Sequence, residues 1–402
     1  MKKNNLLYLL LLSTSAFLFS CEKHDHDAEP DDVSKEFKYL RVLVSDETTN
    51  TLSLFTPFDG SVSSHTAKFP KSALYGTESG RFAGVVHTSN NLTETFDSGL
   101  ENHGDHIDVK GTPKFGAMVG ESTLPTHFKS KKGELMTFND GDATLSVGKE
   151  SDIHSSGMKM KTINAGLLKH HGAMATFSNG TYAITEKDNS IPGALPERVR
   201  IIDNSGKTIH SSKLATKGIH GNATDGTYAV FGSASGILVV ESNGQQKFIA
   251  HPEGFGTAWF GTILETSTPG KFVGYTAAKG AYLIDVMANT VKPIFESTDI
   301  MQCKVSFNNS KIGILLHSGD FKLFNLSTLA LVKEGNIIEA TEKTSTQKPQ
   351  MVLTERFAYI TQPKTGELIQ IMHSDLSKKS KTKVSNTPFR LAIIGHESSA
   401  DH

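Results

Sequence analysis

The sequence predicts an all-β fold, a β-propeller of eight blades with seven as the alternative, following a disordered N-terminal tether. Three observations lead there. Long amphipathic helical patterns are missing, whereas short alternating runs bounded by Gly, Asn, Asp and Ser recur along the chain. The runs come in pairs joined by short polar turns, and TYAVFGSASGILVVESNG and KIGILLHSGDFKLFNLSTL are near-copies of one another. The pairs return at a spacing of about 40 to 50 residues, which is the period of a propeller blade.

From the start of the chain, MKKNNLLYLLLLSTSAFLFSC carries Lys2 and Lys3, an apolar stretch from Leu6 to Phe19, and small Ser20 before Cys21. That pattern is a secretory signal, too short and wrongly flanked for a membrane span. Its end, Leu18-Phe19-Ser20-Cys21, looks like a lipobox. Residues 1–20 are therefore expected to be a lipoprotein signal peptide and Cys21 the lipidated residue, with an ordinary signal cut near Ser20 as the alternative. This places the chain in a bacterial cell envelope, periplasmic and lipid-anchored to a membrane.

Residues 21–37, charged and nearly free of apolar side chains, predict a disordered tether, and residues 38–397 a single propeller domain. Lys and Arg (41) are scattered and matched by Asp and Glu (42), which argues against a nucleic-acid surface. Only Cys303 remains after Cys21, so no intramolecular disulfide is available once Cys21 is lipidated.

Repeat units can be drawn from near residues 38, 76, 121, 163, 216, 254, 298 and 345. In a propeller, loops between blades and the starts of inner strands share one face, around the central channel. His127 in LPTHFKSKKGELMTFND, His170 and His171 in LLKHHGAMATF, and His220 in KGIHGNATDGTYAVFG all precede the first apolar pair of successive units. The segment ENHGDHIDVK, with His103, Asp105 and His106, is placed between the second and third units by taking NLTETFDSG as an outer strand. All are then expected at one mouth of the channel.

Three neutral imidazoles with carboxylates or waters suit Zn(II), while Cu(II) or Ni(II) accept the same donors. Asp105 or Asp108 would act as a ligand or hold an imidazole by its second nitrogen. A lone loop histidine is ordinarily just a solvated polar residue, but recurrence at one register in successive blades is not expected by chance. His24-Asp25-His26-Asp27 falls in the tether, where it would either exchange metal weakly or keep the segment soluble.

Taken together, the segments FDSGLENHGDHIDV (96–109), PTHF (125–128), His-His-Gly (170–172) and Ile-His-Gly (219–221), with the N-terminal His-Asp-His (24–26), resemble the AztD-type zinc metallochaperones. The resemblance runs over most of the mature chain and implies a β-propeller that binds zinc at its mouth. It further implies delivery to the solute-binding protein of a zinc ABC importer. Carried onto this chain, His103, His106, His127, His170 or His171, and His220 would be ligands, and His24 and His26 the transfer segment. The chain departs from the pattern in its expected lipid anchor and its short histidine segment.

Two other functions compete. A zinc hydrolase would use the same three-histidine geometry, but no His-Glu-x-x-His or Gly-x-Ser-x-Gly motif is present, so an enzyme is not expected. A lipoprotein scaffold for a protein or glycan partner would use an aromatic platform such as Phe255 and Trp259.

Overall fold

The computed structural model describes residues 32–400. The signal segment, Cys21, His24 and His26 lie outside the described residues. Eight four-stranded antiparallel sheets follow one another around a channel, with one additional two-stranded hairpin. The β-propeller has eight blades, and the seven-blade alternative is set aside. Among the described residues no helix is long and apolar enough to cross a membrane.

The first blade is assembled from both ends of the described chain. Pro388–Gly395 forms its inner strand and pairs antiparallel with Leu40–Asp46, in the register Val42 to Ile393. Thr51–Thr56 and Ser61–Thr66 complete it outwards. Asp46 pins this seam: its carboxylate accepts the amides of Thr387 at 2.6 Å, and of Thr48 and Thr49 at 2.8 Å each. The remaining inner strands are Ala73–Gly76, Pro125–Lys131, Met174–Thr176, Ile219–Thr224, Thr262–Glu265, Ile300–Val305 and Met351–Leu353.

Alternation in sequence becomes interdigitation between blades. Phe231, Leu238 and Val240 of the fifth blade pack on Ala175, Phe177 and Ala183 of the fourth, all fully buried. The Phe, Leu and Val side chains among them each contribute about 1.5 to 3 kcal/mol by leaving water. Gly172 marks how tightly the blades approach, since a Cβ there would sit 2.2 Å from the Phe138 ring.

Strand order fixes two faces. Turns between second and third strands open on the same face as the links into each new blade, here called the upper face. Turns between first and second strands, and links from third to fourth strands, open on the lower face.

The second blade departs from the sequence expectation. Its third strand is Leu92–Asp97, within the run taken as outermost, and its outer strand is Lys114–Glu121. The hairpin of Leu100–Asn102 and Ile107–Val109 is inserted between them and therefore opens on the lower face. Leu100 and Ile107 anchor it by packing on Tyr39, at the lower start of the first blade.

Candidate metal centre

His127, His171 and His220 converge on the upper face from three successive blades. Local backbone irregularities aim two of them. The pairing of Pro125–Lys131 with its neighbour slips between Pro125 and His127, and that of Ile219–Thr224 slips between Ile219 and Asn222, around His220. Such bulges swing a side chain out of the pleat. Gly221, at φ +76, allows the second slip, and a Cβ there would lie 2.5 Å from the Gly261 carbonyl.

The three rings stand 5.0 Å (127 to 171), 5.1 Å (171 to 220) and 6.3 Å (127 to 220) apart by centroid. Nε2 of His127 faces Nε2 of His171 at 3.4 Å. Zinc bonds of 2.0 to 2.1 Å at a tetrahedral angle put two ligand nitrogens about 3.4 Å apart. His220 is the wide member, and the three do not bring one ligand atom each within 4.8 Å of one another, so a shared metal requires its ring to move inwards.

The far nitrogens are held. His171 Nδ1 donates to Asp140 Oδ2 at 2.6 Å, and the second oxygen of Asp140 accepts the Gly172 amide at 3.2 Å. His220 Nδ1 donates to the Gly261 carbonyl at 2.7 Å. Because a carboxylate and a carbonyl can only accept from a neutral ring, both imidazoles turn a bare Nε2 lone pair inwards. Orientation of ligand histidines by such outer partners is the usual build of a zinc site. Asp140 sits in the turn after Glu134–Asn139, and Gly261 just before the sixth blade, so both come from the same face as the histidines.

The electrostatics divide the triad. Burial, with the charges of His171 and Lys129, brings His127 down to about 4, so it is neutral across the physiological range. The hydrogen bond to Asp140 raises His171 above the ordinary histidine value despite its burial. A proton therefore competes with a metal first at His171.

His170 does not join them. Its Nδ1 lies 2.7 Å from the Leu168 carbonyl while Nε2 lies 2.9 Å from Thr185 Oγ1. Both nitrogens are engaged in a buried structural role, which leaves no donor for a metal.

His103, Asp105 and His106 are on the opposite face, a correction to their expected place at the same mouth. The physical reason is the connection that carries them, which links third to fourth strand rather than blade to blade. There His103, His106 and Asp108 offer ligand atoms all within 4.8 Å of one another, the one such group of three among the described residues. The two rings stack at 5.2 Å. Asp105, 86% exposed, holds His106 Nδ1 at 2.8 Å and so orients a ring rather than completing the group. Lys110 Nζ, 2.7 Å from Asp108, competes for that carboxylate.

The aromatic platform expected of a scaffold is not formed around Phe255, which is buried against Phe260 and Tyr282. Cys303 is buried, and desolvation pushes its thiol up to about 12, where it is neither nucleophile nor ready ligand. Sequence reasoning missed Asp140, whose only signal is the turn Asn139-Asp140-Gly141-Asp142, and Gly261, a backbone carbonyl with no signal.

No family model matches the sequence. In solved structures the fold is that of AztD from Citrobacter koseri: its crystal structure superposes with a TM-score of 0.79 at 18% identity, over 90% of this chain and all of that one. The structure of apo AztD from the same organism gives 0.78 at 17%, over 90% and 99%. Dihydro-heme d1 dehydrogenase NirN in complex with DHE is more distant, at 0.57 and 12% over 88% and 74%.

Proposed function

We propose that this chain is a zinc-binding carrier of the bacterial cell envelope that holds Zn(II) through His127, His171 and His220 and hands it on by ligand exchange. The observation that carries the reading is the 3.4 Å approach of His127 Nε2 to His171 Nε2, with Asp140 fixing the second ring from behind. The AztD-like fold and the motifs shared with that family support zinc as the cargo. They also support delivery to the solute-binding protein of a zinc ABC importer. Three neutral donors leave a fourth position through which an acceptor's ligand attaches before the last imidazole leaves.

Asp140 contacts the far nitrogen of His171, so it orients a ligand and is not aimed at a metal-bound water. This favours carriage over hydrolysis. His24 and His26 assist transfer in this reading, and Cys21 anchors the chain to the membrane. The hairpin group His103, His106 and Asp108 is a second, more exposed zinc site on the lower face.

Zinc titration against a competing chelator tests the reading, with the full mature chain beside a variant carrying His127→Ala, His171→Ala and His220→Ala. Tight uptake by the first and its loss in the second is the expected result. Equal affinity in both would remove the triad from the function and leave a binding scaffold as the better account.

A further inference from the structure

The channel beneath the triad is unevenly charged. The eight inner strands carry Lys129, Lys131, Lys304 and Arg390 against one carboxylate, Glu265. Lys131 is matched, by Glu78 at 2.7 Å and by the field of Glu265. Lys129, Lys304 and Arg390 have no carboxylate within ion-pair distance among the described residues.

Lys129 is placed most tellingly. It lies two residues beyond His127 on the same strand, hence on the same side and about 6.6 Å deeper. Its Nζ donates at 3.2 Å to the carbonyl of Asn222, two residues beyond His220 on the fifth blade. Third and fifth blades are not neighbours, so this ammonium passes in front of the fourth blade on the channel side, one step below the level of His127 and His220. Further round, burial pushes Lys304 below the ordinary lysine range, and the Arg390 charge adds to that. Arg390 is likewise lowered by burial.

A zinc ion on three neutral imidazoles keeps its full double charge, and here it would face unpaired cations from below. Asp140 offsets one charge, from behind His171. Water at the fourth position offsets none.

We infer that the channel directly under the triad is an anion site, in which Lys129 holds one small monoanion, a halide or a carboxylate, against the metal's fourth position. The inference rests on the zinc reading and specifies its missing ligand. The anion's lone pair forms the bond to the metal as a water leaves, and no oxidant or reductant is involved. The channel's charge also bars zinc from passing through to the lower face, so loading and release share the upper mouth.

Cobalt(II), whose visible spectrum reports its donors, is the probe. The full mature chain carrying His103→Ala and His106→Ala, which leaves the triad as the one candidate metal group among the described residues, is loaded with cobalt in methanesulfonate at fixed ionic strength and pH, then titrated with chloride, bromide or acetate. The expected result is a band shift distinct for each anion, together with about a tenfold rise in apparent metal affinity at saturating anion by mass action. In Lys129→Met the shifts should be lost while cobalt still binds in methanesulfonate, and Lys129→Arg should restore them. A halide response without an acetate response assigns a free halide; a response to both assigns a site that also takes a partner's carboxylate. Cobalt bound with a spectrum indifferent to all three anions overturns the anion site and leaves the triad standing. Failure of cobalt to bind overturns the triad reading, and this inference with it. Should Lys129→Met fail to fold, Lys304→Met is expected to weaken the anion response in the same sense, and an unchanged response there counts against the site.

Discussion

His171 Nδ1 lies 2.6 Å from Asp140 Oδ2, and that contact sets both the direction in which the ring presents its lone pair and the pH at which it gains a proton. Asp140→Ala leaves the imidazole in place but free to turn. Zinc affinity should fall by about 10- to 100-fold, as for other outer partners of ligand histidines. Chelator competition measures it, with circular dichroism to show the blades intact; an unchanged affinity would dismiss Asp140 as a positioning residue.

Zinc affinity should also fall with pH, and the window is set by His171. Metal binds the neutral ring, so protons compete below its pKa, which Asp140 raises above the ordinary histidine value of about 6.5. Affinity is then flat at alkaline pH and drops about tenfold per unit below that pKa. His127 titrates near 4 and adds nothing until far lower pH. In Asp140→Ala the drop should move to lower pH, which a pH series of competition titrations resolves.

Two zinc ions should bind the chain, because the triad and the hairpin group lie on opposite faces. Replacing His103 and His106 with alanine should remove the weaker ion and leave the tighter untouched. Calorimetry of both variants reads the stoichiometry, and loss of the tight site in the hairpin variant would show the assignment reversed.

His170→Ala should leave zinc affinity unchanged and cost about 1 to 3 kcal/mol of stability, the penalty for stranding buried hydrogen-bond partners. Urea unfolding beside a zinc titration separates the two effects. A loss of zinc with stability intact would return His170 to the ligand set.

Asp46 should govern acid stability of the closing blade. Burial alone would raise its pKa, but the amides of Thr387, Thr48 and Thr49 outweigh it and hold the carboxyl at about 2. A depressed carboxyl stabilises the fold above its unfolded value of about 3.9, and that contribution, about 2 kcal/mol, is lost as pH falls towards 2. Wild type and Asp46→Asn should therefore differ at neutral pH and converge in acid, as followed by denaturant unfolding at several pH values.

The repeat of paired strands was legible because each blade is a local structure with its own turns, and so were the histidines at the starts of inner strands. The hairpin's face was not. Lys114–Glu121 is a poorly alternating, half-exposed strand that gives little signal, so Leu92–Asp97 reads as the blade's edge and the hairpin behind it falls on the wrong side. Neighbouring His170 and His171 could not be separated either, since their division depends on which way an irregular segment turns before Met174–Thr176. Asp140 and Gly261 reach the site from other turns and blades, and closeness of that kind is a property of the closed ring.

That the inner strand of the first blade is Pro388–Gly395 has a consequence for the order of folding. A chain that becomes free to fold from its N-terminal end can form blades two to eight one after another, each from contiguous sequence. The strand Leu40–Asp46 meanwhile waits with an open edge for a partner encoded more than 300 residues later. Throughout that interval the ring is an arc, its two end blades exposing apolar faces that the finished protein hides. The His127, His171 and His220 mouth is assembled on this arc well before it shuts, so a zinc ion held as proposed would meet the three imidazoles on an unclosed chain. Protection of the nascent arc, rather than of any one blade, is then what a chaperone in the same compartment would have to supply.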